Sequence, residues 1–258
     1  MDRFAFGENW TEFAKRLRPE DYAAAKESLR QLIPDLEGRT FLDIGSGSGL
    51  FSAAASALGA RRVVGFDLDP QAVETAKNIV DRIAQWDPNV RRDTIEFRVE
   101  SILNEDLVCG QFDVVYSWGV LHHTGDMYKA FEAAIKLVAQ KGTLVIAIYN
   151  KHFTSPIWKM IKFTYVKSPK FAKNVIVYPI LAVKFLAAVI ISRRNPLKRD
   201  RGMRFYTDIV DWVGGYPYQY ASVSEVSDFF GARGFRLTKF NKTKGCTGCN
   251  EFVFEKVR

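Results

Sequence analysis

Cysteine and histidine are scarce in this chain, and one long segment is nearly without acid. The three cysteines among 258 residues, Cys109, Cys246 and Cys249, cannot make a disulfide framework, which points to a reducing compartment. Cys246 and Cys249, in GCTGCN, have a metal-like spacing. Zinc takes about four ligands, however, and no second cysteine pair exists, so no metal is expected and the stretch reads as a glycine-rich turn. A redox dithiol would sit at a helix start rather than in such a turn. The opening MDRFAFGENW carries acids and no apolar stretch, so it does not read as a secretory signal. Three histidines leave few candidates for proton transfer at neutral pH.

Hydrophobic content of 47% and charged content of 26% are ordinary for a folded protein, so disorder is not the default. The net charge of +8 is unevenly spread. Between Lys151 and Arg204 stand thirteen Lys/Arg and one acid, Asp200, so that segment carries +12 and the remainder −4. A uniformly basic chain would suggest nucleic acid, which is not expected here. A basic segment around an apolar one suggests an anionic membrane surface.

Apolar spacing at Phe13, Leu17, Tyr22, Ala25, Leu29, Leu32 and Ile33 predicts a helix over 11–33. Short apolar runs then alternate with helical stretches. TFLDIG (40–45), RVVGFD (62–67), TIEFRV (94–99), FDVVYS (112–117) and GTLVIAIYN (142–150) read as strands. Helices are expected over 48–58, over 69–83 with Asp69 as N-cap and Pro70 at the first helical position, and over 126–139. After the basic segment come a helix at 222–234 and two strands, FRLTKFN (235–241) and NEFVFEKV (250–257). The expected fold is α/β: a doubly wound, seven-stranded Rossmann-like sheet with a closing antiparallel hairpin and an α-helical insertion after the fifth strand. One domain over 1–258 is expected, with an N-terminal helical cap at 1–36, a core at 37–150, the insertion at 151–204 and the rest of the core at 205–258.

LDIGSGSGLFS sets Gly45, Gly47 and Gly49 between a strand and a helix, where the chain turns tightly and a ligand can approach the backbone. A phosphate loop would need Gly-Lys-Ser/Thr, which is missing. Asp67 ends the second strand about twenty residues on, where a carboxylate can accept both ribose hydroxyls. These two features admit an adenosine cofactor of either the methyl-donor or the nicotinamide kind. Taken in order, FLDIGSGSGLFS, VVGFDLDP, FDVVYSWGVLHHTGD and GTLVIAIYN resemble the class I S-adenosylmethionine-dependent methyltransferases, over about 39–150 and again over 222–257.

The resemblance implies that Gly45, Ser46, Gly47 and Gly49 wrap the methionine part of S-adenosylmethionine, and that Asp43 reaches its amino group. It implies Asp67 on the ribose, Leu68 against adenine, and Glu100, Ser101 or Ile102 at the adenine edge. Ser117, Trp118 and Gly119 would line the sulfonium. His123, or its neighbour His122, is the candidate base for an acceptor hydroxyl; either can instead hold loop backbone or shape the pocket. Tyr149 and Asn150, at the end of the fifth strand, are candidates for the acceptor pocket, and His152 is a further candidate base. Phe4, Phe6, Trp10 and Phe13 either cover the cofactor or join the core.

The run NVIVYPILAVKFLAAVII (174–191) is long enough to raise the question of a membrane span. A single crossing would separate strands that belong to one sheet, and Pro179 and Lys184 interrupt the run. The expectation is a pair of helices lying in the interface of the cytoplasmic face of a membrane, with a soluble helical cap over the acceptor pocket as the alternative. Arg201, Tyr216 and Tyr218, in the aromatic stretch 201–222, are candidates for binding a sugar or a quinone ring. DWVGGYPY, FGENW and GCNEFVF resemble bacterial methyltransferases of surface-polysaccharide or glycolipid synthesis, and the core with its insertion resembles ubiquinone-pathway O-methyltransferases. The implied function is O-methylation of a glycan or lipid-linked acceptor. The alternatives are a quinone head as acceptor and a cofactor-binding membrane scaffold without turnover.

Overall fold

In the computed structural model, residues 6–107, 109–191, 193, 205–243 and 248–257 are described. Two helices open the chain, α1 (Phe6–Arg16) and α2 (Pro19–Leu32). The single helix expected over 11–33 is broken because Arg18 precedes Pro19 and takes an extended backbone, φ −128° and ψ 160°. Leu17 is buried all the same, so the apolar spacing runs on across the break.

Seven strands follow in the expected places: β1 (Thr40–Ile44), β2 (Arg62–Asp67), β3 (Ile95–Val99), β4 (Phe112–Trp118), β5 (Val138–Tyr149), β6 (Phe235–Asn241) and β7 (Cys249–Lys256). They form one sheet in the order β3-β2-β1-β4-β5-β7-β6. The first five are parallel, and β7 runs antiparallel to both β5 and β6. Strand order reverses between β1 and β4, so a crevice opens beyond their carboxyl ends. Every residue of β1 is buried, as expected for a strand covered on both faces.

One face of the sheet is covered by α1, α2, α3 (Leu50–Ala57) and α4 (Pro70–Ala84), around Phe41, Val63, Val114, Tyr116 and Val145. The other face is covered by α5 (Met127–Lys136) and α9 (Val223–Gly231), around Leu42, Val64, Val115, Ile146, Phe252 and Phe254. Alternate residues of each strand thus serve opposite cores. Asp69 caps α4 by accepting from the Gln71 amide at 2.9 Å, and Ser222 and Glu225 form a capping box at α9. The helix expected over 126–139 ends at Lys136, because β5 begins at Val138, opposite Phe112.

The insertion's α6 (Ser155–Lys167) and α7 (Lys170–Leu186), with a π turn over Ala187–Ile191, form one helical unit with the α8 (Phe205–Gly214) that follows the insertion. It builds a third cluster of Tyr149, Tyr165, Val177, Ile209, Trp212, Val213 and Tyr218, set at the carboxyl end of the sheet. That position puts the insertion over the crevice.

Candidate active site

A cleft of about 1400 Å³ opens beyond the carboxyl ends of β1 and β4. Asp43, at the end of β1, is buried and accepts from the Ser52 hydroxyl at 2.6 Å. Burial pushes its pKa up to about 7; the Ser52 hydrogen bond opposes this, and nearby Asp67 adds to it. The glycine turn that follows is left-handed at Gly45 and Gly47, φ +73° and +50°. A Cβ on Gly45 would lie 2.5 Å from the Val120 side chain, and one on Gly47 would lie 2.6 Å from the Trp10 indole. Ser46 lines the cleft with its hydroxyl buried and, among the described residues, without a hydrogen-bond partner.

Asp67 ties the turn to the second strand. Its Oδ2 accepts from the Gly47 amide and its Oδ1 from the Asp69 amide, both at 3.0 Å. Burial raises its pKa as well, against those hydrogen bonds. Leu68 stands half exposed in the cleft beside Glu100, Ser101 and Ile102. The Glu100 carboxylate accepts from the Ser101 amide at 2.8 Å and from Asn104 at 3.0 Å. From β4, Trp118 and Gly119 line the cleft, and the Trp118 indole donates to Glu251 at 2.8 Å.

The roof is α1. The Gly7 amide donates to Asp69 Oδ2 at 2.9 Å, a contact so close that a Cβ on Gly7 would strike that carboxylate. Phe6 lies over the His123 ring, with centroids 5.6 Å apart. His123 Nδ1 is 2.6 Å from the Pro217 carbonyl oxygen, which can only accept, so Nδ1 carries the proton and Nε2 keeps its lone pair. Burial and the Lys162 charge push this imidazole down to about 3, against the Pro217 hydrogen bond. Beyond His123 the cleft is walled by Tyr149, Lys184, Trp212 and Tyr216.

A family model described as a methyltransferase domain matches residues 13–189. This chain belongs to that methyltransferase family. Among curated relatives, the methyltransferase is 34% identical over 113 residues to a ribosomal protein L11 methyltransferase of Alteromonas mediterranea, covering 44% of this chain and 34% of the relative. It is 33% identical over 134 residues to a ubiquinone biosynthesis O-methyltransferase of Xanthomonas campestris pv. campestris, covering 51% of this chain and 48% of the relative. The match therefore spans less than half the length of either relative. Solved structures share the fold. A magnesium protoporphyrin IX methyltransferase from Synechocystis, with SAH bound, has a TM-score of 0.56 at 12% identity, covering 91% of this chain and 82% of that one. A SAM dependent methyltransferase from Aquifex aeolicus has a TM-score of 0.54 at 15% identity, covering 96% and 98%.

The residues present in the methyltransferase fit S-adenosylmethionine, its cofactor. Two carboxylates, Asp43 buried and Asp67 half-buried, line one cavity with raised pKa values, and a cationic, hydroxyl-bearing ligand relieves both. The orphaned Ser46 hydroxyl gains a partner from the same ligand. Leu68 offers apolar surface for a base beside Glu100, Ser101 and Ile102.

Several expected side chains stand behind the wall of the cleft rather than in it. His122 is fully buried, neither ring nitrogen has a hydrogen-bond partner of ordinary geometry, and its ring packs 4.2 Å from Tyr149. Burial, His123 and Lys162 hold its pKa well below the usual range, so it is a neutral packing group out of reach of an acceptor. Tyr218 is buried as well, its ring 5.0 Å from Tyr149. Asn150 accepts from Asn250 at 3.0 Å and joins β5 to the segment at Ala221. Ser117 is buried and donates to the Ile44 carbonyl at 3.2 Å, which fixes β4 against β1. Gly47 lies under Trp10, and Gly49 caps α3 in a left-handed conformation. His152 bonds Thr154 at 2.8 Å and is not part of the cleft lining. Arg201, Cys246 and Phe4 lie outside the described residues.

Other residues in the cleft wall or behind it carried no reading of this kind in the sequence. Lys184 interrupts an apolar run, yet it lines the cleft and sits 3.5 Å from the Trp212 ring centroid. Asp69 reads as a helix cap and also anchors α1. Lys162, in a run of aromatic and apolar residues, is buried among the rings of Tyr149, Trp212 and Tyr218 and donates to the Trp212 carbonyl.

Proposed function

We propose that this methyltransferase O-methylates a glycan or a lipid-linked acceptor at a membrane surface. One observation carries the reading: His123, its Nδ1 held by the Pro217 carbonyl, lines the same cleft as the aromatic rings of Tyr149, Trp212 and Tyr216. Flat rings suit the apolar face of a sugar or an aromatic head, and Nε2 suits a hydroxyl.

When bound, S-adenosylmethionine supplies a methyl group already activated on a cationic sulfur. The protein's task is then alignment, exclusion of water and handling of one proton. Asp43 would hold the cofactor's amino group and Asp67 its ribose hydroxyls, while Phe6 and Trp10 line the cleft from α1. His123 accepts a hydrogen bond from the acceptor hydroxyl through Nε2 and orients its oxygen. Its low pKa limits it to taking the proton late, once the C–O bond is forming, the S–CH₃ bond is breaking and the positive charge growing on the oxygen has made its proton acidic.

That low basicity favours a second reading, a phenolic quinone head, whose hydroxyl is the more acidic. The relative named for ubiquinone biosynthesis points the same way. The test is a transfer assay with S-adenosylmethionine labelled on its methyl group and a membrane extract as acceptor. Label in the hot phenol–water carbohydrate fraction supports a glycan. Label in the organic phase supports a lipid-linked acceptor or quinone. Label in protein alone overturns both and favours the kind of acceptor named for the ribosomal-protein relative. Saturable cofactor binding with no transfer to any fraction favours a scaffold.

A further inference from the structure

The helix α7 is apolar on both of its faces, yet among the described residues only one face is covered. Val177, Ile180 and Leu181 turn inward to the insertion's own cluster, and Lys184 reaches the cleft. Phe171, Val175, Tyr178 and Leu186 recur at helical spacing on the opposite side and stand open, Phe171 at 81% and Val175 at 73% exposure. On α6, Trp158, Lys162 and Tyr165 face inward, while Ile157 and Met160 point out. Both helices pack on α8, so the outward faces are those turned away from it. A helix apolar all round is ordinarily buried, and a contiguous exposed apolar surface marks an interaction site.

Charge decides the occupant. Residues 151–193 contain no acid, and Lys159, Lys167 and Arg193 are exposed around the apolar residues. A second copy would set two such basic surfaces against each other, which like-charge repulsion opposes. An anionic bilayer takes both features at once, apolar side chains below the headgroups and bases among them. Crossing does not fit the fold. The strand before the insertion, β5, and the two after it, β6 and β7, share one sheet, Pro179 interrupts α7, and among the described residues no helix is long and apolar enough to span.

We infer that the outer faces of α6 and α7 form a docking surface for an anionic lipid bilayer, with both helices lying in its interface. Because α7 also carries Lys184 into the cleft, the docked helix is a wall shared by the lipid and the acceptor end. The inference deepens the function proposed above by naming the surface that meets the membrane. Vesicle binding needs no turnover, so either statement can fail alone.

The experiment is sedimentation of the full chain with vesicles of phosphatidylcholine, with and without phosphatidylglycerol, at low and high salt. Each exposed base near anionic lipid contributes about fivefold in affinity, so binding to the anionic vesicles should exceed the neutral ones by at least about tenfold and fall with salt. Val175→Glu and Met160→Glu should each weaken it by about tenfold while S-adenosylmethionine binding stays intact, which controls for folding. Binding to neither vesicle, or binding indifferent to both substitutions, overturns the inference. So does a concentration-dependent dimer that Val175→Glu separates, because a second copy would then be the cover.

Discussion

The Nδ1 of His123 sits 2.6 Å from the carbonyl oxygen of Pro217, a residue 94 positions further along the chain. This one bond fixes the tautomer and turns Nε2 into an acceptor. With its pKa pushed down to about 3, the ring is neutral across the physiological range. His123→Ala should lower kcat by about a hundredfold, the low end for a proton-handling group, and change cofactor affinity by less than about threefold. The wild-type kcat profile should show no limb from this imidazole between about pH 5 and 8. Asn in its place keeps a donor toward Pro217, so recovery of rate in His123→Asn would assign the ring to anchoring alone. Steady-state kinetics beside calorimetric titration of the cofactor decide the matter.

His122, fully buried, and His123, half-buried in the cleft wall, also set an acid limb for stability. Their folded pKa values lie below that of an unfolded histidine, so the unfolded chain takes up protons first as pH falls. The stability they allow is complete above about pH 6.5 and is lost as pH drops toward the folded values. Replacing His122 with Phe, a ring of similar shape, removes one such site. Between about pH 7.5 and 5 the variant should lose about 2 kcal/mol less stability than the wild type. Urea midpoints at the two pH values measure the difference; parallel losses would mean that His122 is protonated in the fold.

Much of this site was legible because its polar residues stand at strand ends. Asp43 stands one residue before the end of β1 and Asp67 ends β2, where an open parallel sheet binds ligands, and local periodicity locates both strands. The neighbours His122 and His123 could not be told apart by composition. Only the tight turn Leu121–His123 decides which ring faces the cleft and which the core. The early start of β5 depends on Val138 pairing with Phe112, and the anchoring of α1 depends on Gly7 meeting Asp69, 62 residues away. Neither contact leaves a local pattern. The break before α2 did leave one, since Pro19 disfavours helix at Arg18, but the apolar spacing crosses it undisturbed. The open face of α7 was hidden by the uniformity of the run, as a stretch apolar on all sides has no period to show which side is covered.

Asp43 should show opposite effects on stability and binding. Its folded pKa is raised to about 7 from an ordinary value near 3.8, so the folded state keeps a proton that the unfolded chain has released. Stability on this account falls as pH rises between those values, opposite in sign to the histidines. Asp43→Asn is neutral at every pH and can still accept from Ser52. At about pH 8 the free variant should be more stable than wild type by a few kcal/mol, and near pH 3.5 the gap should close. Cofactor affinity should fall by about tenfold to a hundredfold, the loss of a charge-assisted contact to an ammonium group. Thermal melts with and without cofactor read both effects. A variant that is less stable at pH 8 would show that Asp43 is ionised and well paired in the free protein.

Gly47 and Trp10 test whether α1 closes over the cofactor. Gly47 is held at φ +50°, a conformation costing an L-residue about 1–2 kcal/mol, and its missing Cβ leaves room for the indole at 2.6 Å. The substitution Gly47→Ala should therefore do two separable things, strain the turn and push Trp10 off it. Cofactor affinity should fall by about tenfold or more, and amides of Phe6–Arg16 should exchange faster, since the Gly7 bond to Asp69 would be left to hold that end. Trp10→Ala should loosen α1 to a similar extent without straining the turn. Because the two changes act through one contact, the double variant should bind the cofactor only slightly worse than Gly47→Ala alone. Additive losses would instead mean that Trp10 contributes to binding independently of the turn, and unchanged exchange in α1 would show that Gly47 is needed for the turn and not for the lid.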